Sequence, residues 1–204
     1  MAQRLKENVR TSILAAASDA FSRDGYRGAR LQDVAAAAGV STGNLYRYYP
    51  DKDALFDAIV PRSLAARLLK LLRARVRELG TVQDWRTMTA ARSDTAHALL
   101  AFFIEHRVAS LILMSGGAQG SSLGHVRPAV VHELTRLARA YLRRHHAQPD
   151  QVAPEAVLVQ IFVNTADMIA AILRSYQSAV EIGEAFAAFW RYQLAGLQAL
   201  LAAG

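Results

Sequence analysis

Apolar residues return at intervals of three and four along most of the chain, and alternating β-branched runs bounded by turns do not occur, so the pattern predicts an all-α protein. From Thr11, the residues Ile13, Leu14, Ala17 and Phe21 mark one face of a first helix, and Gly25 supplies a left-handed stop after Asp24. Leu31, Val34, Ala35 and Ala38 form the stripe of a second helix over about 31–38, with Ala35 small enough for another helix to cross closely. Gly39 then turns the chain, Val40 fills the inside of the turn, and Ser41 stands at the N-cap of a third helix over 42–49. The inner face of that helix is Leu45 with Tyr48 or Tyr49, which leaves Thr42, Gly43, Asn44, Tyr46 and Arg47 pointing largely outward.

Further along, a fourth helix begins near Lys52, and Pro61 kinks or breaks it, because the residue before a proline is biased away from helical geometry. Residues 62–79 carry six bases against Glu78 alone. At about 100° per residue, all of those bases except Arg75 fall within an arc of about 140°, opposite a leucine-rich side. This is an amphipathic helix with a basic outer face, read either as a plain solvated surface or as a long-range aid to DNA approach. A break near Gly80 precedes a helix containing Trp85 and Met88, and an apolar helix over about 95–114 ends in the Gly- and Ser-rich loop of Ser115 to His125. That loop lacks the Gly-Lys-Ser/Thr ending of a phosphate-binding loop and no strand precedes it, so it reads as a connection. Helices over 127–145 and from Pro154 to about Ser178 follow, then a final one, with Pro149 to Pro154 as a connection.

The outward residues of the third helix are poorly suited to a mere solvent face. Gly43 weakens the helix by about 1 kcal/mol relative to Ala, yet it removes a side chain where a helix must approach a phosphate backbone. Asn44 and Arg47 suit adenine and guanine edges, Thr42 a thymine methyl, and Tyr46 a phosphate or methyl. The segment from Asp33 to Phe56, DVAAAAGVSTGNLYRYYPDKDALF, resembles the signature of the TetR family of bacterial transcriptional repressors, and the likeness runs from about Thr11 to Ile59. The aromatic run from Tyr46 to Tyr49, then Lys52 and the Leu55–Phe56 pair, makes the resemblance more specific than a lone helix-turn-helix pattern.

That resemblance implies a helix-turn-helix DNA-binding domain over residues 1–51 and a larger helical effector-binding and dimerisation domain over 52–204. It also implies a homodimer on a palindromic double-stranded operator, released by a small-molecule effector. DNA contacts are then expected from Arg30, Ser41, Thr42, Gly43, Asn44, Tyr46, Arg47, Tyr48 and Lys52, with Lys52 against a phosphate and Tyr49 as a core ring. One departure stands out. Where the family places Thr or Ser to cap the second helix, this chain has Ala29, Arg30 and Leu31, so the cap is lost, although the Arg30 guanidinium still suits a phosphate.

Net charge of +7 suggests a polyanionic partner, but residues 1–60 hold eight bases against seven acids, so the excess lies downstream of the recognition segment. The absence of cysteine excludes disulfides, thiolate metal sites and thiol nucleophiles. The apolar stretch Val157 to Leu173 is interrupted by Gln160, Asn164 and Asp167, so no membrane span is expected and a cytoplasmic location follows by default. The histidines show no metal-ligand spacing and no Gly-x-Ser-x-Gly elbow occurs, so neither a cofactor nor an enzymatic activity is expected.

The last two helices carry more apolar surface than one monomer easily hides: Leu158, Ile161, Phe162, Thr165, Met168, Ile169 and Ile172 on one, and Phe186, Phe189, Trp190, Leu194, Leu197, Leu200 and Leu201 on the other. They either cap their own subunit's core or pair with the same helices of a second copy. A pocket for a hydrophobic effector is expected from Phe102, Phe103, His106, Tyr141, Phe162, Asn164 and Met168, with Trp85, Met88, Met114 and Tyr176 as further candidates; core packing is the competing reading for each. Asn164, Thr165 and Asp167 need partners if buried, either an effector's polar group or the dimer interface. A DNA-binding protein with no effector, an architectural or constitutive regulator, is the alternative to a sensor.

Overall fold

The computed structural model describes residues 2–82, 88 and 91–202; the expectation placed on Trp85 lies outside them. Among the described residues the fold is entirely helical. The head consists of α1 (Ala2–Gly28), α2 (Leu31–Ala37), α3 (Thr42–Tyr48) and α4 (Lys52–Ile59). The body consists of α5 (Arg62–Leu79), α6 (Asp94–Glu105), α7 (Arg107–Met114), α8 (Val126–His145), the single turn α9 (Pro149–Val152), α10 (Glu155–Ser175) and α11 (Ala179–Ala202).

The first helix starts nine residues before the expected Thr11 and carries the expected stop inside it, since Gly25 sits at φ 68° and ψ 177° with one more turn beyond it. That left-handed residue also lets two backbones meet. A Cβ at Gly25 would lie 3.2 Å from the Gly117 carbonyl oxygen, and the Tyr26 amide donates to that same oxygen at 2.6 Å. The Gly-rich loop is thus a connection, as expected, but one that docks on the head. Gly39 makes the second turn at φ 69°. At Pro61 the chain breaks in two, with Val60 outside helical geometry and Pro61 opening α5.

One expected helix is two. Residues 95–114 bend by 100° at His106, whose backbone sits at φ −115° and ψ 41°. The apolar residues on either side keep their spacing, so periodicity alone does not reveal the break. The bend frees Arg107 to donate to the Leu173 carbonyl at 2.6 Å, satisfying the last turn of α10.

In α5 the helical phase is realised. Arg62, Arg67, Lys70, Arg73 and Arg77 are exposed, whereas Arg75, the base outside the arc, is buried at 7% exposure. Its guanidinium donates to Ser93 Oγ at 2.9 Å and the Met88 carbonyl at 2.7 Å, and lies 3.5 Å from Glu78. Glu78 also accepts from Ser93 and Thr95.

A large apolar core runs from the head into the body, including Ile13, Phe21, Leu45 and Phe56, then Leu68, Phe103, Ile112 and Phe186. A smaller cluster of Met88, Val131, Leu142, Leu158, Phe162 and Leu194 lies beside it. By length and composition α10 is apolar enough to cross a bilayer, with a mean hydropathy of 1.9, but Leu158, Phe162, Ile169, Ile172 and Leu173 are buried against neighbouring helices. It packs on α7, α8 and α11, the place of a central core helix.

Candidate nucleic-acid interface and internal cavity

The chain presents α3 by locking its inner face and capping its start. Leu45 is fully buried, and of the two tyrosines Tyr49 enters the core while Tyr48 is half-buried. Ser41 caps the helix by accepting from the Asn44 amide at 3.1 Å, and Asp51 caps α4 by accepting from the Ala54 amide at 2.7 Å. Gly43, Tyr46 and Arg47 are exposed, Tyr46 at 47%, and Thr42 and Asn44 are half-buried beside them. A side chain at Gly43 would meet nothing within 4 Å, so internal packing does not explain the glycine. Arg47, on the last turn, has no ion pair among the described residues.

The flanks are less uniform. Arg30 is exposed at the start of α2 and makes no side-chain cap, as the lost Ser/Thr cap implies. Lys52 is half-buried, its Nζ 4.8 Å from the centre of the Tyr26 ring and 3.5 Å from the Arg27 carbonyl oxygen. Desolvation holds its ammonium below the usual lysine value. Tyr26 in turn donates to Asp53 Oδ1 at 2.8 Å, and burial, reinforced by that carboxylate, pushes its phenol up to about 12. Phe21, Tyr26 and Phe56 pack as an aromatic trio joining α1 to α4. Arg10 adds a tie between α1 and Tyr49, its Nε–H pointing at the hydroxyl at 3.4 Å.

In the body, a partly open cavity of about 190 Å³ lies where the two apolar clusters meet, among α5, α6, α7, α8, α10 and α11. Its lining includes Leu72, Val76, Leu99, Met114, Leu134, Tyr141, Phe162, Ile169, Trp190 and Leu194. Of the seven side chains expected to form an effector pocket, Tyr141 and Phe162 line this cavity and the other five do not. Phe102 and Phe103 fill the core, Phe103 stacked on Phe186, and His106 sits at the α6–α7 bend against Phe102 and Arg67. Asn164 and Met168 face outward on α10, Asn164 accepting from Gln160 at 2.8 Å. Spacing at three and four identifies an apolar helix but not which flank of it borders a void.

Asp167 is likewise outward, its carboxylate 2.6 Å from the Arg127 guanidinium. Thr165 is the member of that polar trio that lines the cavity, where its hydroxyl accepts from Gln193 at 2.9 Å and donates to the Ile161 carbonyl at 2.8 Å. Arg75, Arg144 and Gln193 line the cavity unforeseen; for Arg75 the sequence did carry a signal, its place outside the basic arc. A second, more open hollow of about 460 Å³ lies under the Gly-rich loop, bordered by Gly116, Leu123, Arg127, His132 and Val159.

A small helical head that displays a capped, glycine-bearing third helix after a tight glycine turn, set on a helical body with an internal cavity, defines a helix-turn-helix DNA-binding transcriptional regulator. Residues 13–59 match the family model of bacterial regulatory proteins, tetR family, so the head is a DNA-binding domain of that type. Among its relatives is the HTH-type transcriptional regulator RutR of Escherichia coli K12, 29% identical over 157 residues that cover 76% of this chain and 70% of that protein. The HTH-type transcriptional repressor KstR2 of Rhodococcus jostii RHA1 is 25% identical over 111 residues, covering 52% of this chain and 54% of its own. A solved structure described as a TetR-family transcriptional regulator, from Mesorhizobium loti MAFF303099, aligns with 95% of this chain and 96% of its own at 16% identity and a TM-score of 0.43.

Proposed function

We propose that the protein is a ligand-responsive repressor that binds a palindromic operator as a homodimer in the cytoplasm and is released by a small molecule held in the body. In this reading residues 1–51 contact DNA and residues 52–204 carry the effector cavity and the dimer face. The observation that carries it is α3: Leu45 and Tyr49 anchor one side in the core while Gly43, Tyr46 and Arg47 stand exposed on the other. Thr42, Asn44 and Tyr48 flank them, Ser41 orders the helix start, and Arg30 and Lys52 lie at its borders for phosphate contact. Lys52 must turn away from the Tyr26 ring to reach a phosphate, a small movement for a flexible ammonium.

Pairing is supported by the outer faces of the last two helices. Val157 and Met168 on α10 and Val180 and Tyr192 on α11 are exposed, Tyr192 at 77%, among exposed alanines that allow close helix approach. Two copies would hold their third helices about 34 Å apart, one turn of duplex. A ligand that prefers a state with a different head spacing then releases the operator, limited by its differential affinity for the two states.

The test is selection of DNA from a random pool by the purified protein, followed by affinity measurements on the recovered site and on Arg47→Ala. The expected result is an inverted repeat, with Arg47→Ala weakening it by about 1–3 kcal/mol and relaxing preference at one position of each half-site. Recovery of no inverted repeat overturns the reading. Discrimination unchanged by Arg47→Ala removes that side chain from base contact.

A further inference from the structure

We infer that the occupant of the internal cavity is a compact apolar molecule bearing one anionic group, with the Arg144 guanidinium as the anion's partner. The inference rests on the sensor reading proposed above and specifies its ligand. Leu72, Val76, Leu134, Phe162, Ile169 and Leu194 make the walls hydrocarbon, which selects an apolar body. The volume of about 190 Å³ falls below the range of roughly 300–1,000 Å³ typical of drug-sized ligands, which selects a small one.

Charge supplies the rest. Among the described residues the lining contains two guanidinium groups, Arg75 and Arg144, and no Asp, Glu, Lys or His. Arg75 is already engaged, its terminal nitrogens given to Ser93, the Met88 carbonyl and Glu78. Arg144 differs. It stands exposed on the last turn of α8, and no carboxylate among the described residues pairs with it. Its planar fork of donors matches a carboxylate, and an anion there keeps contact with water while its hydrocarbon part enters the cavity. A cationic head in the same place would face the Arg144 charge with no carboxylate of the described lining to offset it, which disfavours it. The Gln193 amide, one end held by Thr165, leaves its oxygen as an acceptor for a donor on the ligand.

Octanoate, octanol and octylamine test this, since they share one apolar chain and differ in head charge. Their binding to the full-length protein is measured by titration calorimetry without DNA, alongside release of the selected operator. Octanoate is expected to bind about tenfold or more tightly than octanol, and octylamine not to bind measurably. Arg144→Gln is expected to lower octanoate to the level of octanol and to leave octanol unchanged. Octanol or octylamine binding as tightly as octanoate, or an octanoate preference that survives Arg144→Gln, overturns the inference while leaving the cavity as a sensor. Failure of all three to bind overturns both the inference and the cavity's sensor role.

Discussion

Single side chains in the head show how local chemistry sets the recognition surface. Ser41, Leu45 and the outward set Gly43, Tyr46 and Arg47 were legible because capping, burial and exposure within one short helix follow from residue type and spacing. The environment of Tyr26 was not, because Asp53 and Lys52 reach it across 27 and 26 positions of chain. That phenol has a measurable consequence. The folded chain holds its proton up to about pH 12, whereas the unfolded chain releases it near the ordinary value of 10.0. The folded state therefore binds more protons in that window, so this stability is complete below pH 10.0 and is lost as pH rises towards about 12. Lys52 has the opposite sign: its value lies below 10.5, so its contribution grows as pH climbs to 10.5. Denaturant midpoints across this window are expected to fall less steeply for Tyr26→Phe than for the parent protein; parallel declines would show that the phenol is not the group responsible.

At the scale of elements, α5 and the α6–α7 pair illustrate what periodicity conveys and what it omits. The 100° phase of α5 separated the exposed bases from the leucine side and isolated Arg75, which the fold buries and uses to tie α5 to Ser93 and Met88. Removing the cation leaves Glu78 with a carboxylate whose counter-charge is gone. Arg75→Ala is expected to lower unfolding free energy by about 3 kcal/mol, whereas Arg77→Ala, on the exposed arc, changes it by less than about 0.5 kcal/mol. Urea denaturation of both variants makes the comparison, and equal effects would contradict the assigned role of Arg75. The bend at His106 escaped the sequence because it changes direction without changing apolar spacing.

For the whole molecule, the central question is which apolar surface remains after folding. Leu158, Phe162, Ile169 and Ile172 on α10, with Phe186 and Leu194 on α11, are buried within the subunit, so most of the stripe read from the sequence caps its own core. What remains outside is the adjoining face with Met168, Val180 and Tyr192. Tyr192→Asp places a charge on that face, and a charge buried there without a partner would oppose pairing. The variant is expected to sediment as a monomer and to bind the palindrome about a hundredfold or more weakly, through loss of the second head's effective concentration. A Tyr192→Asp protein that remains paired and binds as before would place the interface elsewhere.

The sequence by itself determined the helical class, the turn and cap before α3, which side of that helix faces out, and the type of DNA-binding domain in the head. Each depends on residues within a few positions of one another, where spacing translates directly into geometry. Only the tertiary structure decided that the first helix reaches back to Ala2, that the loop after Met114 docks on the head, and that Arg75, Arg144, Thr165 and Gln193 border one cavity. A void belongs to no single helix: it forms where six helices fail to close completely against one another, and that depends on crossing angles and side-chain volumes that apolar spacing along one chain does not encode.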